Sequence, residues 1–186
     1  MIPRRTLLVS ALAAAGCASM RDPAPGPFRV GDGLSVQLDR TWSDFTPPGA
    51  RKLRLLSQNG PTLDRLYLVG GLEDGEGLAN RQRGAAVFNV TSADEDLSTF
   101  IAASVDALGY IAPVVSNHRP ARFGAATGWR IDIATATGDG LAFSSSALYA
   151  RHNGRLSVIL YLAATEHYFA AGLPGAEAIM ASAALR

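Results

Sequence analysis

Leu34, Val36 and Leu38 alternate with Ser35 and Gln37, the period of a half-buried strand. Phe28 to Val30 precedes them across Gly31-Asp32-Gly33, so the pair predicts two strands joined by a turn. Trp42 and Phe45 follow, and Pro47-Pro48-Gly49 breaks the chain. Lys52 to Leu56 and Leu63 to Val69 form the next predicted pair. They join through Gln58-Asn59-Gly60-Pro61, where Asn-Gly is a turn signal. Residues 70–86 then lose all period. Gly70 to Gly77 is glycine-rich and acidic, and Arg81-Gln82-Arg83 is basic, so the segment predicts a long loop, functional or mobile.

Ser92 to Leu108 carries the clearest helical pattern. Leu97, Phe100, Ile101, Ser104, Val105 and Leu108 recur at three- and four-residue spacing, which puts them on one face. Ser92 and Glu95 fit a capping box, and Asp94, Glu95 and Asp96 place negative charge at the positive end of the helix dipole. Gly109 supplies a left-handed stop. Residues 113–163 read as an antiparallel meander. It holds a short strand at Val114 to Asn117, the alternation of Trp129, Ile131 and Ile133, and a strand from Leu141 to Ala150. Asn153-Gly154 suits a tight hairpin turn. Leu156 to Leu162 is apolar on both faces and predicts a central strand. Pro174 suits the first position of a last helix, with Ala176, Ile179, Met180 and Ala183 as its buried stripe. Local strand pairs interrupted by one helix predict an α+β fold: an antiparallel β-sheet with helices packed on it.

Ahead of this domain stands a segment of another kind. Arg4 and Arg5 form a basic head, and Leu7 to Ala15 is an apolar run about half the roughly 20 residues that a membrane-spanning helix needs. That layout is an export signal. Its end, Ala14-Ala15-Gly16 before Cys17, resembles the lipobox of bacterial lipoproteins, with Ala14 where many carry leucine. The resemblance implies cleavage after Gly16, lipidation of the Cys17 thiol and acylation of the new amine. Arg4-Arg5-Thr6-Leu7-Leu8 also looks like a twin-arginine export signal. Ala18, and not aspartate, follows the cysteine, so the expected address is the outer membrane facing the periplasm, with the inner membrane the alternative. The expected organisation is a signal peptide over 1–16, a lipidated, proline-rich tether over 17–27 and one α+β domain over 28–186.

Without residues 1–16, about 170 residues remain, enough for one domain with a sizeable core. That removal takes Arg4 and Arg5 from the 17 basic residues and leaves all 16 acidic ones, a net charge of −1. Such a balance offers no electrostatic footprint for nucleic acid. Cys17 is the one cysteine. Once it is lipidated, no thiol is left for catalysis, thiolate metal ligation or a disulfide.

The run Leu34-x-Val36-x-Leu38-x3-Trp42, the mid-chain helix, Gly128-Trp129-Arg130 at the start of a meander strand, and the helix after Phe169 resemble the Mog1/PsbP-like fold. The likeness covers most of 28–185 and is one of layout. It implies an α/β/α sandwich. It also implies a binding or assembly role, since that fold hosts photosystem assembly proteins, a small-GTPase regulator and many bacterial lipoproteins, mostly not enzymes. Fold analogy alone assigns no function.

Candidate chemistry is sparse. His118, His152 and His167 show no metal-ligand spacing, although His118 and His167 are the conceivable pair; His118 reads as a loop residue and His152 as an exposed turn residue. Ser144-Ser145-Ser146 lacks a nucleophile elbow and reads as alternating strand side chains, with Ser144 and Ser146 on one face. Glu73, Asp74 and Glu76 are hard oxygen ligands, but their spacing is not that of a calcium loop, and a solvated acidic turn fits better. Gly70-Gly71 precedes no phosphate-binding pattern. Trp42, Phe45 and Trp129 read as core aromatics, or as the wall of an aromatic groove beside loop 70–86. In that loop Arg81 and Arg83 suit carboxylate or phosphate partners.

The expectation is therefore a lipid-anchored, non-catalytic accessory protein of the envelope, without metal or cofactor. It would bind the membrane through Cys17 and a protein partner through Glu73, Asp74, Glu76, Arg81 and Arg83. The second reading is a small-molecule or lipid-binding lipoprotein with its pocket between the sheet and helix 92–108. A hydrolase is the remote third.

Overall fold

The computed structural model describes residues 22–78 and 85–186. Cys17 and the rest of the expected signal and lipidation segment lie outside them, as do Arg81 and Arg83. The described chain is α+β, with antiparallel sheets and two α-helices. No helix among the described residues is long and apolar enough to cross a membrane.

The first predicted pair is a hairpin of β1 (Gly26–Val30) and β2 (Leu34–Leu38), with Val30 opposite Leu34 across the glycine turn. β1 takes in the last two residues of the expected tether, Gly26 and Pro27. Pro27 is admitted because β1 is an edge strand, where a missing N–H donor leaves no ladder bond unmade. After β3 (Ser43–Asp44), β4 (Leu53–Ser57) pairs with β5 (Asp64–Leu72). β5 runs through Gly70 and Gly71, which the sequence assigned to the loop. The two glycines allow close packing. A Cβ on Gly70 would stand 2.0 Å from the Val30 carbonyl oxygen, and one on Gly33 would stand 2.6 Å from the Gly71 nitrogen. The β1–β2 turn is thus seated directly on the β5 backbone.

α1 (Asp94–Ala107) buries Leu97, Ile101, Ser104 and Val105, as its spacing predicts, and Gly109 stops the chain at φ +95°. The capping box does not form. Ala93 takes the cap position with no side-chain bond, and Ser92 lies one residue outside it. Arg151 anchors the entry instead. Its guanidinium is paired with the Asp94 carboxylate and donates to the carbonyls of Val90 at 3.0 Å and Ser92 at 2.7 Å.

The meander has four strands: β6 (Ile111–Phe123), β7 (Ala126–Ala136), β8 (Ala142–His152) and β9 (Arg155–Ala164). β6 replaces the short strand expected at 114–117 and takes in His118 to Pro120, expected as loop. It is the outer strand of a seven-stranded sheet ordered β3-β4-β5-β9-β8-β7-β6. An edge position tolerates its prolines, and irregularities near Ala112 and Asn117, both at positive φ, shift its register. Asn153 and Gly154, at φ +51° and +73°, make the expected tight turn between β8 and β9.

β9 is central, and Leu156 to Ala164 are all buried. Leu156, Val158, Leu160 and Leu162 join the cluster under α1. Ile159, Tyr161 and Ala163 join the cluster formed with β1, β2 and the last helix. Burying one large aliphatic side chain contributes about 1.5–3 kcal/mol, against about 0–1 kcal/mol for an exposed ion pair. The double-sided core therefore holds the fold, not its surface charges.

The last helix does not begin at Pro174. A π-helical turn at Thr165–Phe169 leads into α2 (Ala170–Ala181), with Pro174 inside. Tyr161 explains the early start. Its hydroxyl donates to the Tyr168 carbonyl at 2.9 Å and occupies the space that a Cβ on Gly172 would need. Ala176, Ile179, Met180 and Ala183 are buried as predicted. Two further residues, β10 (Ala184–Leu185), pair with β2.

Candidate functional site

A groove of about 690 Å³ lies between the segment before β4, the β5 floor and the start of the predicted loop. Gly49 to Leu53 form one wall, Glu76 to Leu78 the other, and Val69 and Leu72 the floor. The floor is apolar because β5 belongs to the core under α1, and Leu78, 5 % exposed, extends that core into the loop. The loop is thus tied down at this end. Gly75 donates to the Phe88 carbonyl at 2.8 Å, and Phe88 to the Glu76 carbonyl at 2.7 Å.

The three acidic residues do not form an open cluster. Lys52 Nζ lies 2.7 Å from Glu76 Oε2 and 3.4 Å from Glu73 Oε1, while Arg155 reaches Glu73 at 3.1 Å. Asp74 accepts from the Val90 backbone N–H at 2.9 Å, and Glu76 accepts from that of Glu73 at 2.7 Å. Burial alone would push the Lys52 ammonium down. The bond to Glu76, with the charges of Glu76 and Glu73, outweighs it and holds the group above its ordinary value. Lys52 and Arg155 are partners that sequence reading missed. They lie far from Glu73 along the chain, and only strand pairing brings them near. The groove therefore has an apolar floor and a lip of matched charges.

None of its described lining residues is aromatic. Trp42 is buried in the core beside β2, Phe45 is exposed, and the Trp129 indole N–H points to Asp94 Oδ2 at 3.3 Å. Among the described residues, the space between the sheet and α1 is packed core where the second reading expected a pocket. Leu97, Ile101 and Val105 fill it against Ile131, Tyr149 and Val158.

The candidate catalytic groups stay apart. Ser144 Oγ meets Thr165 Oγ1 at 2.9 Å, and Ser146 bonds Arg130 and Asp132 on the same face. Ser145, 1 % exposed, has a buried hydroxyl with no partner among the described residues. Among the described residues none of the three is hydrogen-bonded to a histidine. His118 Nε2 is hydrogen-bonded to Tyr149 Oη at 2.9 Å, with its ring 4.7 Å from that of Trp129. His152 and His167 are exposed. Among the described residues no three His, Cys, Asp or Glu side chains gather as a metal site. Asp94 is a carboxylate perturbed chiefly by one partner. There the Arg151 bond holds the group below the usual range, and the pair serves the entry of α1.

No family model matches the chain, and no curated protein matches it. Among solved structures it is similar to the cyanobacterial PsbP (CyanoP) of Synechocystis sp. PCC 6803. The TM-score is 0.60 at 11 % identity, over 93 % of this chain and 99 % of that one. At that identity the likeness concerns the fold, which is PsbP-like.

Proposed function

We propose that the chain is a lipid-anchored accessory protein of the bacterial envelope that acts by binding a protein partner and catalyses nothing. Its architecture would be the helix–sheet–helix sandwich of the Mog1/PsbP-like proteins. The anchor would be Cys17, holding the domain at the periplasmic face of the outer membrane. The contact surface would be the groove beside Glu73, Asp74 and Glu76, with Arg81 and Arg83 in the adjoining segment. The observation that carries this reading is the groove itself. It is floored by aliphatic residues and rimmed by Arg51 and by the ion pairs of Lys52 with Glu73 and Glu76, and among the described residues it brings no nucleophile and base together. A polar rim around an apolar floor is the anatomy of a protein contact.

Removing residues 72–84 would be a poor test, because Leu72 and Leu78 are core residues. Arg51→Glu, at an exposed position of the groove wall, is the better one. Proteins co-purifying with the intact, membrane-inserted chain are compared with those of Arg29→Glu, a matched charge reversal on exposed β1. Loss with Arg51→Glu alone, at unchanged thermal stability, supports the groove; identical partner sets for both variants refute it. The anchor has its own test: Cys17→Ser that still fractionates with membranes, or a parent chain that takes up no labelled fatty acid, would remove it.

A further inference from the structure

A second cleft, of about 300 Å³, opens away from that groove, between strands β6 to β8 and the beginning of α2. Four charged groups line it as two ion pairs. Arg119 Nη1 lies 3.3 Å from Asp132 Oδ2, and Arg130 Nη2 lies 2.6 Å from Glu177 Oε1. The cleft is therefore neutral. A charged ligand would have to break one pair and leave its partner beside a like charge, whereas a neutral ligand need not.

The pairs are oriented from behind. Arg130 Nε donates to Ser146 Oγ at 2.9 Å, and that hydroxyl donates to Asp132 at 3.1 Å. Asp132 also accepts from Asn117 Nδ2 at 3.0 Å. Burial acts to raise its carboxyl, but these bonds and Arg119 outweigh that and hold it below the usual range, so it stays ionised at neutral pH. Each guanidinium has five N–H donors and each carboxylate about four acceptor sites. The bonds described use fewer than half of those on Arg130 and Glu177. What remains on Arg130 and Glu177 is a donor and an acceptor side by side; Arg119 adds further donors next to Asp132, whose oxygens already accept from Asn117, Arg119 and Ser146. One hydroxyl both donates and accepts, and two neighbouring hydroxyls on a ring would meet such a pair together. Phe169 and Leu173 supply an apolar wall for the C–H side of the same ring. Arg119 and Glu177 are nearly half exposed, so the entrance is open to a solute. Among the described residues Asp132 and Glu177 gather no third His, Cys, Asp or Glu, so a cation is a poorer fit.

We propose that this cleft binds a neutral, polyhydroxylated ring of the saccharide class. The site is separate from the groove of the proposed protein contact and does not depend on it.

The test titrates the full chain with glucose and with N-acetylglucosamine while backbone amide resonances are followed. Acetate and acetamide stand for charged and amide ligands. Saturable shifts confined to residues 116–119, 130–134, 144–146 and 169–177 are expected, with a Kd on the order of 1 mM. Arg119→Ala and Glu177→Ala should each weaken binding about tenfold, and Lys52→Met, in the other groove, should leave it unchanged. Glu177→Gln, which keeps one acceptor and drops the charge, should fall between Glu177→Ala and the parent, and it decides the matter if an alanine variant does not fold. No saturable shift with either sugar overturns the proposal. So does acetate or acetamide binding as tightly as the sugars, or a set of variants that all keep the parent's affinity.

Discussion

Gly70→Ala should destabilise the domain more than any other single glycine-to-alanine change with an ordinary backbone angle. The new Cβ would stand 2.0 Å from the Val30 carbonyl oxygen, 2.9 Å from its carbonyl carbon and 3.0 Å from Leu34 Cβ. Val30 and Leu34 are fully buried, and the closest atoms belong to a backbone paired in a hairpin, so neither can yield cheaply. Overpacking a core costs about 1–3 kcal/mol, and contact with fixed backbone belongs at the upper end, about 3 kcal/mol. In a domain of this size each kcal/mol lowers Tm by about 2–4 °C, so a fall of about 6–12 °C is expected. Two other glycines separate the causes. Gly109 has open space but φ +95°, so alanine there meets only conformational cost, about 1 kcal/mol. Gly138 has open space and no positive φ, so alanine there should stay within about 0.5 kcal/mol of the parent. Urea unfolding followed by circular dichroism ranks the three. A Gly70→Ala midpoint equal to the parent's, or no lower than that of Gly109→Ala, would show that the β1–β2 turn does not rest on β5.

Ser145→Ala should raise stability by about 1 kcal/mol, because it removes a buried hydroxyl that lacks a partner among the described residues; a clear loss in the same urea titration would mean the hydroxyl is bonded after all. Lys52 should leave its mark at alkaline pH. Its ammonium is held above the ordinary value by Glu76 and Glu73, so its contribution is complete below the unfolded pKa of 10.5 and disappears as pH rises through the higher folded value. Thermal midpoints of the parent and Lys52→Met should therefore differ at neutral pH and converge above that range, and a constant gap would contradict the pairing.

The fold was legible wherever one face of an element is buried and the other is not. β2, β7 and α1 show the period that burial imposes, and β9, covered on both faces, shows an unbroken apolar run. β6 was legible only in part for the same reason turned round. Most of its residues from Ile111 to Pro120 are exposed, so no hydrophobic pattern marks it, and its prolines imitate a loop. Its position at the end of the sheet is what makes those prolines harmless, and that position depends on the return path of β7, β8 and β9. Gly70 and Gly71 misled for a related reason. In a linear reading a glycine pair means freedom, yet here it means lack of room, because the neighbour that excludes a side chain lies forty residues back in β1. Pro174 and the missing capping box belong with these: Tyr161 and Arg151, each from a distant strand, decide where α2 and α1 begin.

The same limit governs the sites. Glu73, Asp74 and Glu76 were visible as an acidic run, but their partners Lys52 and Arg155 come from β4's approach and the start of β9, so what looks like free charge is matched charge. The neutral cleft left no trace in the sequence at all, since Arg119, Asp132 and Glu177 share no spacing and meet only where β6, β7 and α2 converge. Charge runs in this chain therefore indicate where surface is held together. Ligand-binding chemistry is to be sought where opposite charges from separate elements meet over an apolar wall.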